Sequence, residues 1–505
     1  MIGRTTASRR CSTPHHRLSF DMPSDNPSST HRREFLRSGL SLGSAVGLAA
    51  PFQALLARVA RGQARSGVGY GPLQPVNDET TGLPLLKLPV GFRYVTFGWN
   101  GDPLSDGRKT PGAHDGMAVT AVNGDQVTLI RNHEINSDLP AFGPAEITYD
   151  PHAGGGTVNL VFDTQKGRLV SSRVSICGTV KNCAGGPTPW GSWLTCEETT
   201  YGPGDSEKAD VNNLKPADAQ KAQDGKASSK VKFEKTHGWI FDVPANGAAK
   251  PVPIEGMGRF VHEAVAVDPA TGTVYETEDA GEAGFYRYVP RKPGALASGG
   301  KLEMLVVPAK ESLGKGVKVG QSFSVRWTRI SDPTRAHSPG NHDSAGVFKQ
   351  GKEQGGTSFK RLEGCWYHAG AIYFVSTNGG EAGAGQIWRY SPGTDELTLI
   401  FVSPSKEVLD MPDNITVSPR GGIVLCEDGS LPGQRLHGMT LGGELFTLAV
   451  NNVQLNGEKN GLNGDFRDDE WAGATFTPDG SWLFANLQNP GITVAITGPW
   501  DKGPL

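Results

Sequence analysis

One short phrase recurs along this chain, and it limits the fold more than any other feature. Val267-Asp268-Pro269-Ala270-Thr271-Gly272-Thr273-Val274-Tyr275 reads as a strand end, a tight turn and a strand start. Val417-Ser418-Pro419-Arg420-Gly421-Gly422-Ile423-Val424-Leu425 has the same form, as does Phe476-Thr477-Pro478-Asp479-Gly480-Ser481-Trp482-Leu483-Phe484. Weaker copies stand at Phe162-Asp163-Thr164-Gln165-Lys166-Gly167-Arg168-Leu169 and at Tyr367-His368-Ala369-Gly370-Ala371-Ile372-Tyr373-Phe374. Proline early and glycine late is tight-turn chemistry. The flanks alternate apolar and polar residues, the period of a half-buried strand. Hairpins repeating at intervals of tens of residues imply four-stranded propeller blades. Few segments have helical spacing, and the 68 Gly and 35 Pro favour many turns over long helices.

Size supports a repeated unit. Beyond a leader of about 64 residues, roughly 440 remain, more than one compact core usually holds. Stacked repeats avoid that limit, because each unit buries its face against a neighbour. At roughly 45–75 residues a blade, insertions included, six blades fit. The expected fold is therefore all-β: a six-bladed β-propeller with inserted loops over residues 65–505. A β-sandwich with long loops is the rival. Residues 203–235 lack a core face and read as an exposed insertion; residues 308–358 are in part similar.

Residues 1–64 read as a disordered leader followed by an export signal. Ser29-Thr30-His31-Arg32-Arg33-Glu34-Phe35-Leu36-Arg37 resembles the twin-arginine motif, and an uncharged run from Ser38 to about Leu56 follows. That run is too rich in Gly, Ala and Ser for a convincing anchor. The expected location is the periplasm or the exterior, reached folded through the twin-arginine translocase, with no stable membrane anchor. A net charge of −3 gives no broad basic surface for nucleic acid. Cys11 lies in the leader, so Cys177, Cys183, Cys196, Cys365 and Cys426 remain. An odd count leaves one thiol unpaired in an oxidising compartment, as a metal ligand or a buried small hydrophobe. A monomer is expected.

Polar clusters stand beside strand-like runs. They are Arg131-Asn132-His133-Glu134, Asn182-Cys183-Ala184-Gly185-Gly186 with Cys196-Glu197-Glu198, Val261-His262-Glu263-Ala264, Arg361-Leu362-Glu363-Gly364, Met411-Pro412-Asp413-Asn414 and Cys426-Glu427-Asp428-Gly429. In a propeller, equivalent strand ends from different blades converge on the axis. Carboxylates meeting there need cations. Oxygen donors suit calcium, and a thiolate adds affinity for a softer transition metal. Each cluster alone has a plainer reading: a structural hydrogen bond, a charged turn, or an Arg361–Glu363 salt bridge on one strand face. No His-Glu-x-x-His, Gly-x-Ser-x-Gly or P-loop motif occurs.

In their order, these clusters resemble the PhoX-type alkaline phosphatases from about residue 85 to the end. Trp190, Phe260 and Trp471-Ala472-Gly473 through Gly480 add to the likeness. The resemblance implies a six-bladed propeller with an iron–calcium cluster (Fe3+ and Ca2+) at one end of its axis, acting on a small phosphate ester. Carried over by motif, Cys183 is the iron thiolate, and Glu263 and Glu363 are cluster carboxylates. Arg361 is the phosphate clamp. Glu197 or Glu198 is a calcium ligand, with Asp413 and Glu134 as further metal candidates. Attack would come from a metal-activated oxygen rather than a serine. Two other readings fit the clusters: a calcium propeller acting on lactones or phytate, and an exported propeller that binds without catalysis.

Overall fold

Strands and glycine-bearing turns alternate through the computed structural model, which describes residues 68–136, 140–203 and 233–505. The leader, with Arg32-Arg33, and most of the 203–235 insertion lie outside those residues. The turn phrase does what its chemistry dictates. Gly272, Gly421, Gly480 and Gly370 each hold a positive φ, between 69° and 98°. Each closes the same hairpin in its own sheet, joining Val267 to Val274, Val417 to Ile423, Phe476 to Leu483 and His368 to Ala371. The copy at Asp163–Arg168 is different: it joins the third and fourth strands of its sheet.

Seven sheets result among the described residues: six are the blades of a propeller, and the seventh is a two-stranded ribbon of Gln454–Asn456 and Asn463–Asp465. Blade 1 runs outward from its inner strand His114–Asn123 to Arg168–Thr179. Blade 2 has three strands from Asn182–Pro187, and blade 3 five from His262–Val267. Blade 4 starts at Leu362–His368, blade 5 at Pro412–Val417 and blade 6 at Trp471–Phe476. The six inner strands touch in a closed circle, blade 6 against blade 1. The apolar interior follows from this. Instead of one core there are layers, one between each pair of neighbouring blades. Phe97, Phe484 and Ala495 meet Met117, Leu129 and Phe162 between blades 6 and 1. Leu194, Cys196 and Ile240 meet Val265, Val274 and Tyr286 between blades 2 and 3. Alternation along each strand supplies both faces of a blade, so size is added without thickening any layer.

The ring is closed by pairing the two ends of the described chain. Arg93–Phe97 forms the outer strand of blade 6, antiparallel to Ile492–Thr497. Tyr70 Oη receives the Leu505 N–H at 3.0 Å. Leu73–Val76 and Leu86–Pro89 extend blade 5 instead. The segment 308–358 corrects the expectation of a partly exposed insertion. Ser322–Ser324 pairs with blade 4, and Arg326–Arg329 pairs with blade 3. Its helix, Gly346–Glu353, buries Val347 and Phe348 against Met304 and Ile330. Its polar composition hid this, because the two pairing strands are only three and four residues long. All five described cysteines are buried and none forms a disulfide. No described helix is long and apolar enough to cross a membrane.

Neighbouring inner strands approach closely at one repeated position. A Cβ on Gly116 would lie 2.5 Å from Ala184 Cα, one on Gly364 would lie 2.7 Å from Asp413 O, and one on Gly473 would lie 2.5 Å from Asp115 O. Gly473 also has φ +58°. Gly473→Val should therefore destabilise the fold by about 2 kcal/mol or more in denaturant unfolding. Gly393→Ala, which meets nothing within 4 Å, should stay within about 0.5 kcal/mol.

Candidate metal centre

The entrance of every inner strand carries an extra residue. His114 pairs with His133, but Met117 pairs with Arg131, so three steps on one strand face two on the other. The same mismatch occurs at Asn182/Gly185, His262/Val265, Leu362/Cys365 and Pro412/Ile415. In blade 6 it comes one step later, at Ala472/Thr475. Such bulges re-aim a side chain and sharpen the local twist. The residue after each first pair is Asp115, Cys183, Glu263, Glu363 and Asp413, with Ala472 at the matching place in blade 6. A small residue follows each of the first four, because the neighbouring strand presses there: Gly116, Ala184, Ala264 and Gly364.

Two more positions complete each blade's contribution. One precedes the inner strand: Ala113, Lys181, Val261, Arg361, Met411 and Glu470. The other follows the second strand: Glu134, Glu198, Asp279, Thr377, Asp428 and Gln488. In all six blades the second donates its backbone N–H to the carbonyl of the first, at 2.9–3.2 Å. Ala113, Lys181, Arg361 and Met411 hold left-handed backbone, φ between 43° and 51°. That conformation is costly for residues with a side chain, and its repetition in four blades marks it as part of the strand entrance.

Acids dominate these positions. Asp115, Glu134, Glu198, Glu263, Asp279, Glu363, Asp413, Asp428 and Glu470 gather with the Cys183 thiol, against the cations Lys181 and Arg361. Four groups bring ligand atoms within 4.8 Å of one another: Cys183/Glu198/Glu263, Glu263/Glu363/Asp413, Asp413/Asp428/Glu470 and Asp115/Glu134/Glu470. Cys183 Sγ lies 2.9 Å from Glu263 Oε2. Gln488 Nε2 donates to Glu134 at 2.6 Å and to Asp115 at 3.3 Å. Arg361 grips Asp279 with two hydrogen bonds, at 2.7 and 2.8 Å, and Glu363 with a third at 2.7 Å. Lys181 Nζ reaches Glu198 at 3.0 Å and Glu134 at 3.7 Å.

Burial and mutual repulsion set the proton affinities. Burial first, then neighbouring acids, push Asp115, Glu263 and Glu363 well above the usual carboxylate range. Burial does the same to Glu470, helped by Asp428. Burial and Asp428 push Asp413 up to about 7. Burial, then Glu263, raises the Cys183 thiol well above its ordinary value. Asp279 goes the other way: burial opposes ionisation, but the Arg361 hydrogen bonds prevail. Desolvation and like charges both disfavour ionisation, so a cation is the partner that would let these groups ionise together.

Six of the residues singled out in the sequence converge here: Cys183, Glu198, Glu263, Arg361, Glu363 and Asp413. Glu134 joins them at the Asp115/Glu470 side. Glu197 does not. Successive strand residues face opposite ways, and Glu197 turns into its own blade. It accepts the N–H groups of Val180, Gly238 and Trp239, and it meets His237 Nδ1 at 2.7 Å. Burial would lower the His237 pKa, but Glu197 and Asp150 push it up to about 9. The same division holds in Glu278-Asp279 and Glu427-Asp428. Glu278 accepts Gly284 N–H and Tyr286 Oη–H, and Glu427 binds Arg435 and Asp410 N–H. The first acid of each pair braces its blade, and the second faces the centre. Neither His133 nor His262 points a nitrogen at the acids; they bond Gly112 O and Gly258 O. Sequence reading missed Asp115, Lys181, Asp279, Glu470 and Gln488, and it quoted Asp428 without assigning it. Of these, Asp115 alone shares a pattern with the residues found, an acid or thiol followed by a small residue, as at Cys183, Glu263 and Glu363.

The family model for alkaline phosphatase PhoX matches residues 68–173 and 162–491. The chain belongs to the PhoX alkaline phosphatase family. No curated protein matches the sequence. Among solved structures, Pseudomonas fluorescens PhoX in complex with vanadate, a transition state analogue, is similar to this PhoX-family chain. It is 17% identical, covers 86% of this chain and 99% of its own, and has a TM-score of 0.61. The gluconolactonase XC5397 from Xanthomonas campestris is 13% identical over 85% of this chain and 99% of its own, with a TM-score of 0.36. The first likeness supports the six-bladed fold of the PhoX-family chain.

Raised carboxyl pKa values make the metal-free protein bind more protons folded than unfolded. Its stability should therefore fall as pH rises from about 4, through Asp413 near 7 and beyond. Calorimetry in chelator should show this fall in Tm, and added calcium should suppress it. A pH-independent difference between the two conditions would contradict the assignment.

Proposed function

We propose that this protein is an exported, metal-dependent alkaline phosphatase that hydrolyses small phosphate esters at the centre described above, with ferric iron and calcium as its metals. The observation that carries the reading is the gathering of nine carboxylates and one thiol around two cations, from all six blades. Such an excess of buried acid is tolerable only with bound cations or bound protons. The donors divide by chemistry. Cys183, with Glu263 and Glu198, offers the soft thiolate that favours a transition metal. Asp115/Glu134/Glu470 and Asp413/Asp428/Glu470 offer oxygen alone, as calcium prefers. Glu263 and Glu363 join the Cys183 group to the oxygen groups.

The metals, when bound, would neutralise phosphate oxygens and acidify the attacking water. The chain supplies the rest. Arg361 is fixed by Asp279 and Glu363 through Nε and Nη2, and its Nη1 makes no hydrogen bond to a described residue. Two N–H groups are thus left to grip a phosphoryl group with its charge. Glu363 orients that guanidinium and offers its second oxygen to the metal group. Export in folded form through the Arg32-Arg33 leader fits a centre whose ligands come from every blade, since an unfolded chain would not keep it.

Cys183→Ser and Glu363→Gln should each lower kcat/KM for p-nitrophenyl phosphate by about a hundredfold or more, with iron content falling in the first. Arg361→Lys should keep the metals and raise KM about tenfold. Protein that carries neither iron nor calcium by elemental analysis, and leaves phosphate monoesters intact, would overturn the reading. Calcium without iron, and indifference to Cys183→Ser, would point to a calcium-only hydrolase instead.

A further inference from the structure

Lys181 occupies in blade 2 the position that Arg361 occupies in blade 4. Both precede the inner strand, and both hold left-handed backbone, φ 49° and 43°. Both give their carbonyl to the residue that follows the second strand, Glu198 and Thr377 at 2.9 Å. They are the only cations among the eighteen described residues that fill these three positions in the six blades. Blade 3 lies between them, and it contributes the apolar Val261 at this position.

Their connection is a chain of ionisable side chains. Lys181 Nζ meets Glu198 at 3.0 Å, Glu198 shares a hydrogen bond with Asp279, and Asp279 meets Arg361, which meets Glu363. The remaining arc of the centre, Asp413, Asp428, Glu470 and Asp115, holds acids without a cation of the chain bonded to them among the described residues. The centre is thus polarised. The acids of blades 5, 6 and 1 have only bound metal to balance them, whereas both cations of the chain, which attract anionic oxygens, stand on the arc of blades 2 to 4 beside the Cys183 group. Lys181 is also incompletely used. Its ammonium has three donors, one close carboxylate at 3.0 Å and a second at 3.7 Å, and its side chain is 25% exposed.

We propose that Lys181 is a second phosphate-binding cation, which with Arg361 forms a two-armed cradle for the phosphoryl oxygens. The proposal rests on the phosphatase reading and names a residue that reading does not need. Arg361 supplies a planar, directional grip, whereas Lys181 supplies a mobile point charge. Glu134 and Glu198 hold the ammonium in the metal-free protein; where they ligate cations, its donors would be free for the ligand. A guanidinium at the same place would serve similarly, while a neutral side chain would not.

The test uses metal-loaded protein and inorganic phosphate as the probe. Lys181→Met and Lys181→Gln should weaken phosphate binding about tenfold or more, measured by calorimetry and as the product-inhibition constant. Lys181→Arg should stay within about threefold of the parent, the range in which a retained charge keeps most of its attraction. Iron and calcium per chain should be unchanged in all three. Equal phosphate affinity in the parent and the neutral variants would overturn the proposal while leaving the phosphatase reading intact. Loss of metal in parallel with loss of phosphate binding would also overturn it, by making Lys181 a brace for Glu134 and Glu198. A parent protein that binds no phosphate would instead overturn the phosphatase reading itself.

Discussion

Six strands crowd around one axis because, in five of the six blades, the residue behind the axis-facing one has almost no bulk. Gly116, Gly364 and Gly473 meet the backbone of the next blade at distances no Cβ could share, and Ala184 and Ala264 stand at the same place in blades 2 and 3. Everything at the centre depends on that approach. It brings Asp115, Cys183, Glu263, Glu363 and Asp413 together, although each belongs to a different sheet. It also forces the bulge at each strand entrance, because a regular ladder would turn every second side chain into a blade interface.

The same geometry explains what could be read from the sequence. The blades were legible because their inner hairpins use turn chemistry that only glycine and proline satisfy well. The axis-facing residues were legible where an acid or thiol stood in a polar cluster, as at Cys183, Glu263, Glu363 and Asp413. Asp115 was not, since His114-Asp115-Gly116 sits in a run of ordinary strand residues. Glu197 and Glu198 could not be told apart, because which of two adjacent acids faces the axis depends on where the strand begins. Glu278-Asp279 and Glu427-Asp428 follow the same order, so the ambiguity resolves three times by one rule. Lys181 was hidden for another reason. Its equivalence to Arg361 lies in backbone position, and nothing in the residue types signals it.

Charge is managed here by division of labour. One acid of each adjacent pair is consumed inside its blade by backbone N–H groups, a tyrosine, an arginine or the protonated His237. That leaves the other to face the centre. Crowded, largely buried acids are costly unless balanced, and nine of them against two cations amount to a standing demand for more. The fold therefore encodes affinity for metal in the absence of hydrogen-bond donors as much as in the presence of ligands.

The strand Arg93–Phe97 finishes blade 6, yet its partners are among the last residues of the chain. Glu470 of that blade shares a group with Asp115 and Glu134 of the first. The seam of the ring thus passes through the centre itself. During synthesis, blades 1 to 5 can form in turn, but the oxygen group that spans the seam exists only once the sixth blade has been made and joined to the first. A chain cut before Glu470, whatever else it folds, has no complete centre to fill. Metal uptake at that group thereby becomes a report that the sixth blade has been made and joined to the first.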